Sequence, residues 1–286
     1  MIVLRDITYV RLGTRDLDAA QAFATEVIGL QVAQRTAERL YLKSDARHHS
    51  VCYFLGDPGD QTIAFELKDW QALVPAFEQL KAAGVSCAMG SAEEARDRHV
   101  ESFLWFLDPT GNRIDLVVRA HDAGPRYYGS RDAGIQGLGH VGLCSTDPVR
   151  DEAFWLRHFN AMVSDWIGPC PLLRVNPRHH QMALFATDHK GVQHINFQVA
   201  EFDDVMRSFY HMQKKGVRVV FGPGRHATSG GIFLYFEGHD GVIFEYSNSD
   251  RKIIESPEEH RPRQFPLEPS SFCVWGAKPD IAEFQD

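Results

Sequence analysis

Six side chains in the second half of the chain have the types and spacing that metal-dependent chemistry requires. Three are ligand types set inside apolar segments: His140, His194 and Glu245. Two neutral imidazoles and one carboxylate on one face of an ion leave other coordination positions open, which is the arrangement of non-haem Fe(II) oxygen chemistry. Three more side chains could hold or move protons beside such a metal: His179, His226 and Tyr235.

The three ligand types also have structural explanations. A single histidine in an apolar strand, such as His140 in GLGHVGL or His194 in VQHINFQV, is often a hydrogen-bonded core residue. Glu245 in GVIFEYS is more informative, because carboxylates inside apolar strands are rarely buried without a partner. That partner is a metal or an arginine. Curved sheets could bring the three strand positions together, so the metal is the favoured interpretation.

The three proton-transfer candidates have equally ordinary alternatives. His179 stands beside a second histidine in NPRHHQMALF and could be a surface residue. His226 lies in the glycine-rich segment GPGRHATSGG, where a solvated histidine is common, and Tyr235 could be a core aromatic. Taken alone, each of these three residues is better explained by an ordinary structural role than by proton transfer.

Composition excludes several classes of function. The chain has 286 residues, 44% hydrophobic and 24% charged, which indicates a globular protein long enough for two domains. A net charge of −8 argues against a nucleic-acid-binding surface. We find no apolar run of membrane-spanning length and no signal peptide at the N-terminus. Five scattered cysteines without a CxxC pair indicate reduced thiols and a cytoplasmic protein.

The two halves of the chain repeat one another. ITYVRLGTRDLDAAQAFATEVIGLQV in the first half matches LGHVGLCSTDPVRDEAFWLRHFNAMV in the second, and SDARHHSVCYFLGD matches VNPRHHQMALFATD. Later segments correspond as well, and a predicted amphipathic helix ends at Gly84 in one half and at Gly216 in the other. Each half is predicted to hold two strand–helix–strands modules of about 55 residues. The linker between halves is near HDAGPRYYGSRDAGIQG, and the Pro-rich tail segment HRPRQFPLEP suits neither helix nor central strand.

The repeat supplies an internal control. The first-half positions opposite the three ligand candidates are Tyr9, Thr62 and Asp115, in that order, so only a carboxylate is kept. The positions opposite the two later proton-transfer candidates are Arg96 and Trp105. Histidines with a purely structural role should be kept or lost alike in both halves. The asymmetry therefore predicts a metal site in the second half and a vestigial first half.

The stretch GRHATSGGIFLYFEGHDGVIFE resembles the signature of type I extradiol ring-cleaving dioxygenases, in the vicinal oxygen chelate superfamily. The matching positions are Gly224, His226, Leu234, Tyr235, Gly241 and Glu245. The family's NxRHH segment and its ligand histidine, fifteen residues after the catalytic one, are matched by His179 and His194. The chain departs from the signature at Gly238 and His239, where the family usually has a small polar or acidic residue and proline.

The resemblance implies an α+β fold of two tandem domains, each built from two βαβββ modules that form a curved, barrel-like mixed sheet. Residues 1–125 would be the vestigial domain without metal, and residues 135–286 the catalytic domain with the metal site and the tail. His140, His194 and Glu245 would bind Fe(II), and Mn(II) accepts the same donor set. The predicted partners are a catecholic small molecule and O2, with no nucleic acid or membrane, in a homo-oligomer.

The resemblance also implies a role for each remaining candidate in extradiol cleavage of a catechol. Tyr235 and His226 would hydrogen-bond the substrate oxygens, and His179 would be the general acid–base of the oxygen steps. Four apolar residues are candidates for the lining of the ring pocket: Leu172, Leu173, Phe272 and Trp275.

Two other functions stay open at this point. One is a redox-neutral metalloenzyme of the same superfamily, such as a glyoxalase-type isomerase or a thiol-transferase, which usually has a different ligand set with more carboxylate. The other is a metal-free ligand-binding module, which would have no reason to keep both histidines and Glu245. Metal analysis separates the second from the enzymes, and oxygen uptake with a catechol separates the enzymes from each other.

Overall fold

Each half of the chain folds as two βαβββ modules, as predicted. The structure is a computed structural model that describes residues 1–256 and 258–284. The strands of the first half are β1 (Leu4–Thr14), β2 (Gln31–Arg35), β3 (Arg39–Lys43), β4 (Val51–Leu55), β5 (Gln61–Leu67), β6 (Cys87–Met89), β7 (Val100–Leu107) and β8 (Arg113–Ala120). Those of the second half are β9 (Ile135–Ser145), β10 (Met162–Ile167), β11 (Cys170–Arg174), β12 (Met182–Ala186), β13 (Gly191–Val199), β14 (Val219–Arg225), β15 (Ile232–Glu237), β16 (Ile243–Asn248) and β17 (Arg263–Phe265).

Each module's first strand leads into a helix. The helices are α1 (Leu17–Ala22, extended by a π-helical turn, Phe23–Ile28), α2 (Leu73–Ala82), α3 (Ala92–Asp97), α4 (Pro148–His158), α5 (Phe202–Lys215) and α6 (Pro269–Phe272). Short 3₁₀ turns lie at Trp70–Ala72, His239–Gly241 and Ala282–Phe284. No helix in the described ranges is long and apolar enough to cross a membrane.

Local sequence signals explain where the module helices begin and end. Asp16 accepts hydrogen bonds from the backbone at the start of α1, and Asp147 does the same for α4, whose first residue is Pro148. Gly216 adopts a left-handed φ of 66° directly after α5, which an L side chain would resist. These signals determine where α1 and α4 begin and where α5 ends.

The two mixed sheets have the same internal plan. The first has the order β2-β3-β4-β1-β5-β8-β7-β6, and the second β14-β15-β16-β13-β9-β12-β11-β10-β17. In each, the first strands of the two modules pair antiparallel at the centre, as β1 with β5 and β9 with β13. Trp105 stands opposite Asp115 in the first sheet as Tyr235 stands opposite Glu245 in the second. The duplication read from the sequence is therefore confirmed at the level of register.

The hydrophobic core joins the two halves. Trp155 and Phe159 of the second half pack on Phe106 of the first, with Trp155 also against Phe65. All four aromatic side chains are fully buried. A separate apolar cluster fills the second sheet beside the candidate site and includes Phe185, Phe221, Phe272 and Phe284.

Two elements lie outside the repeat. Helix α3 interrupts the second module of the first half, where a Ser91–Glu94 capping box begins it. Strand β17 pairs with β10 at the edge of the second sheet. An edge position fits the proline-rich tail, which was predicted to be unsuited to a central strand.

Candidate metal centre and active site

Three ligand atoms converge in the second sheet. The Nε2 atoms of His140 and His194 lie 3.1 Å apart, and Glu245 Oε2 lies 2.9 Å from the first and 3.5 Å from the second. All three side chains are buried. Donor atoms that share one face of an octahedron, each about 2.1 Å from the ion, lie roughly 3 Å from one another. The observed separations match that face.

Three adjacent strands place these side chains. His140 lies on β9, His194 on β13 and Glu245 on β16, and these strands are neighbours in the order β16-β13-β9. His194 stands opposite Gly142, and Asn196 stands opposite Glu245. The three ligand candidates lie far apart in the chain, and the hydrogen bonds between neighbouring strands fix their relative positions.

Glycine at position 142 allows the close approach of His194. A Cβ atom at Gly142 would lie 2.5 Å from His194 Nδ1 and 2.9 Å from Gln193 Oε1. The same two groups are hydrogen-bonded to each other, because the imidazole Nδ1–H donates to the Gln193 amide oxygen. That bond orients the ring so that Nε2 carries the lone pair toward the other ligand atoms, which is the usual arrangement behind a metal-bound histidine.

We expect Gly142→Ala to lower iron affinity about 10–100-fold, the usual cost of disturbing the groups that orient a ligand. The added methyl must displace His194 or Gln193. Titration of the purified apoprotein with Fe(II) measures the effect. Gly124→Ala is the matched control, since a Cβ there meets nothing within 4 Å. Equal affinities for both variants would contradict the described packing.

The charges at the three-ligand cluster suit a divalent cation. Burial alone would raise the pKa of Glu245, but the adjacent His140 holds it well below its usual range. Burial lowers the pKa of His194 to about 3, so that ring is neutral at physiological pH. Glu245 Oε2 is buried and lacks a hydrogen-bond partner in spite of its closeness to His140. A buried, ionised oxygen of this kind calls for a cation.

Tyr235 and His226 lie on the open side of the cluster. His226 Nε2 lies 3.2 Å from the Tyr235 hydroxyl and 3.3 Å from Glu245 Oε1. Its Nδ1 lies 2.8 Å from the Phe272 carbonyl, an acceptor, so Nδ1 carries the proton. Burial, with the charge of Glu245, raises the pKa of Tyr235 well above its usual value, so its hydroxyl stays protonated. Both residues can therefore hydrogen-bond a substrate oxygen.

His180, and not His179, joins these residues at the cavity. The rings of His180 and His140 are 4.0 Å apart, and His180 lines one cavity with His226 and Tyr235. His179 borders a second cavity together with Arg178 and Asp250, and His140 and His180 line that second cavity as well. The lining of the first cavity thus favours His180 over the predicted His179 as the residue beside the substrate. Adjacent residues point to different sides of the backbone, and spacing alone could not choose between them.

His179 supports His180 from behind. The two Nδ1 atoms lie 3.0 Å apart, and His179 Nε2 lies 2.9 Å from Asp165 Oδ2. Burial would raise the pKa of Asp165, but bonds from His179 and Arg263 hold it at about 2. The carboxylate only accepts, so His179 Nε2 carries the proton, its Nδ1 accepts from His180 Nδ1, and His180 Nε2 keeps a lone pair. No motif or spacing in the sequence indicates the contribution of Asp165.

The cavity has one polar and one apolar end. About 30 Å³ of free space lies between its side chains, with His180, His194, His226, Thr228 and Tyr235 at the polar end. The apolar lining is Ile167, Cys170, Leu172, Ala183, Phe185, Phe272 and Phe284. Leu172 and Phe272, two of the four residues predicted to line a ring pocket, line this cavity. Leu173 packs into the main core, and Trp275 is half exposed against Phe202.

In the first half a guanidinium stands beside the carboxylate that corresponds to Glu245. Asp115 Oδ2 lies 2.7 Å from Arg98 Nε and 3.0 Å from the Tyr9 hydroxyl. All three side chains are buried. Helix α3 brings in Arg98, whereas an alignment without gaps had placed Arg96 opposite His226. A cation supplied by the chain thus neutralises this carboxylate without a metal.

We expect Tyr9→Phe and Thr62→Ala to leave the metal content unchanged. Tyr9→Phe removes a buried hydrogen bond and should cost about 1–2 kcal/mol of stability, without touching the second sheet. Metal analysis and thermal unfolding of each variant measure the two effects separately. Loss of iron from a folded variant would show that the first half contributes to the site.

Comparison with known proteins agrees with this architecture. The family model of the Glyoxalase/Bleomycin resistance protein/Dioxygenase superfamily matches residues 6–116 and 137–246, once in each half. A 1,2-dihydroxynaphthalene dioxygenase of Sphingobium xenophagum is 27% identical over 276 residues, which is 90% of this chain and 93% of the relative. An iron-dependent extradiol dioxygenase of Rhodococcus jostii is 26% identical, with 96% of each chain covered.

Solved structures share the whole fold. A halotolerant catechol dioxygenase superposes with a TM-score of 0.88 at 23% identity, over 98% of this chain and 97% of its own. A Mn(II)-bound glyoxalase from Novosphingobium aromaticivorans superposes with a TM-score of 0.87 at 22% identity, over 100% and 95%. One fold thus serves both enzymes, and the function of this chain has to be inferred from its site.

Proposed function

The chain belongs to the Glyoxalase/Bleomycin resistance protein/Dioxygenase superfamily, and we propose that it is an Fe(II)-dependent extradiol catechol dioxygenase of aromatic compound degradation. The reaction opens the ring beside the two hydroxyl-bearing carbons, incorporates both atoms of O2 and gives a hydroxymuconic semialdehyde-type product. The observation that carries this proposal is the convergence of His140, His194 and Glu245 within 4.8 Å of one another, with His194 at the polar end of a cavity that is apolar at its other end.

The three converging residues are the proposed metal ligands. An ion bound there would supply Lewis-acid activation of the catechol hydroxyls and electron transfer to O2. The donor set of two imidazoles and one carboxylate suits Fe(II), and the Rhodococcus relative is named as iron-dependent. Mn(II) accepts the same donors. We further propose that residues 135–286 form the catalytic domain and that residues 1–125 form a domain that holds no metal.

The chain's own residues would manage the protons of the reaction. The Tyr235 hydroxyl and the His226 ring would hydrogen-bond the substrate oxygens and fix the orientation of the aromatic ring. His180 Nε2 would take a proton from a catechol hydroxyl and return it later in the reaction. His179 and Asp165 would hold the proton on His180 Nδ1, so that the free lone pair always faces the cavity. The apolar lining would exclude water from the ring.

Reconstitution with metal under anaerobic conditions tests the proposal. The apoprotein is loaded with Fe(II) or Mn(II), mixed with a panel of catechols and then exposed to O2. We expect one O2 consumed for each molecule of yellow ring-opened product. A metal-loaded protein that consumes no O2 with any catechol would contradict the proposal and favour a redox-neutral isomerase. A folded protein that binds no divalent metal would favour the ligand-binding module.

A further inference from the structure

A segment of the C-terminal tail, residues 277–284, places Phe284 at the apolar end of the cavity. Phe284 of this segment is 2% exposed and stacks on Phe272 with ring centroids 4.6 Å apart. Its ring also lies 5.0 Å from Phe185 and 5.8 Å from Tyr235. Phe284 therefore fills space that a substrate bound beside Tyr235 would otherwise reach.

The segment is fastened to the sheet and to the metal ligands. The Asp280 backbone N–H donates to the Val220 carbonyl at 2.7 Å, and the Asp280 carboxylate pairs with Arg218. Glu283 accepts a hydrogen bond of 3.2 Å from the side-chain amide of Gln193, the residue that orients His194. The Phe284 ring is thereby held at a fixed place relative to the ligand cluster.

The charge of the cavity restricts the substrate as well. Within the described ranges, none of the side chains that line the cavity is a lysine or an arginine. A substrate carboxylate that moved from water into the apolar end of the cavity would find no cationic side chain to pair with it. An unpaired buried charge is strongly disfavoured. The apolar end therefore selects neutral rings.

The size of the cavity sets a second restriction. The lining side chains leave only about 30 Å³ of free space between them, far below the ~300–1,000 Å³ that small-molecule sites usually enclose. Each ring that enters must therefore displace lining side chains, and a second ring must displace more of them. We infer that the substrate is a one-ring catechol without a charged substituent, and that Phe284 is the specificity-determining residue that excludes a second ring. This inference rests on the proposed dioxygenase function. It differs from the two-ring substrate that the name of the Sphingobium relative states.

The test compares three substrates with the Fe(II)-loaded protein: 3-methylcatechol, 2,3-dihydroxybiphenyl and 3,4-dihydroxyphenylacetate. We expect kcat/KM for 3-methylcatechol to exceed both others at least ~10-fold, a difference that pocket contacts commonly provide. Phe284→Ala should raise kcat/KM for 2,3-dihydroxybiphenyl about 10-fold. The value of kcat/KM for 3,4-dihydroxyphenylacetate should stay low. Phe284→Leu should raise kcat/KM for the biphenyl substrate to a smaller degree. This variant tests the inference if Phe284→Ala does not fold.

Ile281→Ala is the matched control, because Ile281 is buried on the same segment but does not line the cavity. If Ile281→Ala raised kcat/KM for the biphenyl substrate as much as Phe284→Ala does, the attachment of the segment, and not the Phe284 ring, would restrict the substrate. That result would overturn the role of Phe284. A wild-type protein that cleaves the biphenyl substrate as efficiently as 3-methylcatechol would overturn the inference alone. A wild-type protein that cleaves none of the three would instead contradict the proposed function.

Discussion

His194→Ala is expected to abolish tight iron binding and, with it, catechol-dependent oxygen uptake. The substitution removes one of three donor atoms that lie about 3–3.5 Å apart. Two remaining donors rarely hold a labile divalent ion, so the loss should exceed the ~10–100-fold that disturbing an outer-shell partner costs. Iron content after gel filtration and Fe(II) titration of the apoprotein measure it.

The control for this prediction is His189→Ala, which removes an exposed histidine five residues away along the chain. Thermal unfolding of both apoproteins shows whether each variant is folded. A folded His194→Ala protein that retains a full equivalent of iron and normal turnover would remove His194 from the ligand set. The metal centre would then need another third donor.

His180→Gln is expected to retain iron and to slow turnover by about 10²–10⁴-fold, the usual contribution of a general acid–base group. His179→Gln should have a smaller effect, because His179 acts on the cavity through its 3.0 Å contact with His180 Nδ1. Anaerobic catechol titration should show nearly unchanged binding in both variants, since neither ring belongs to the ligand cluster.

The two histidine variants form a matched pair of equal size and chemistry, one residue apart. Their kcat and KM values are compared by steady-state oxygen uptake over a range of pH. A larger loss of kcat in His179→Gln than in His180→Gln would restore His179 as the acid–base group, as the family spacing had indicated. Weak catechol binding with normal kcat at saturation would instead make the affected residue a binding residue.

The fold and the ligand cluster could be predicted because the chain repeats itself. Matching segments gave the module order, and the loss of both histidines from one half singled out His140 and His194. Strand pairing then brings these positions and Glu245 together in one sheet. A ligand that lies on a central strand has little freedom to move, so its sequence position is a good guide to its place in space.

Loop positions were harder to predict. The pair His179–His180 precedes β12, and only the path of the backbone decides which ring faces the cavity. The first half shows the same choice, since His49 and not His48 stacks on Tyr9, with centroids 5.0 Å apart. Spacing measured along the chain does not say which of two adjacent side chains faces the cavity.

Contacts between distant segments left no sequence signal either. Asp165 supports His179 from β10, and Phe284 reaches the cavity from the tail. Each residue type is ordinary in its own local context, and its role arises only when two elements meet. In the same way Arg98 reaches Asp115 because a capped helix replaces the glycine-rich loop of the second half.

Isotope labelling of the product tests the proposed reaction most directly. The Fe(II)-loaded protein is supplied with 3-methylcatechol under ¹⁸O2, and the product is reduced at once with borohydride so that its carbonyl oxygen does not exchange with water. Extradiol cleavage predicts a ring-opened product that contains both labelled atoms of one O2 molecule. A product with one labelled atom or none, or an unopened ring, would contradict the assignment of this chain as an extradiol dioxygenase.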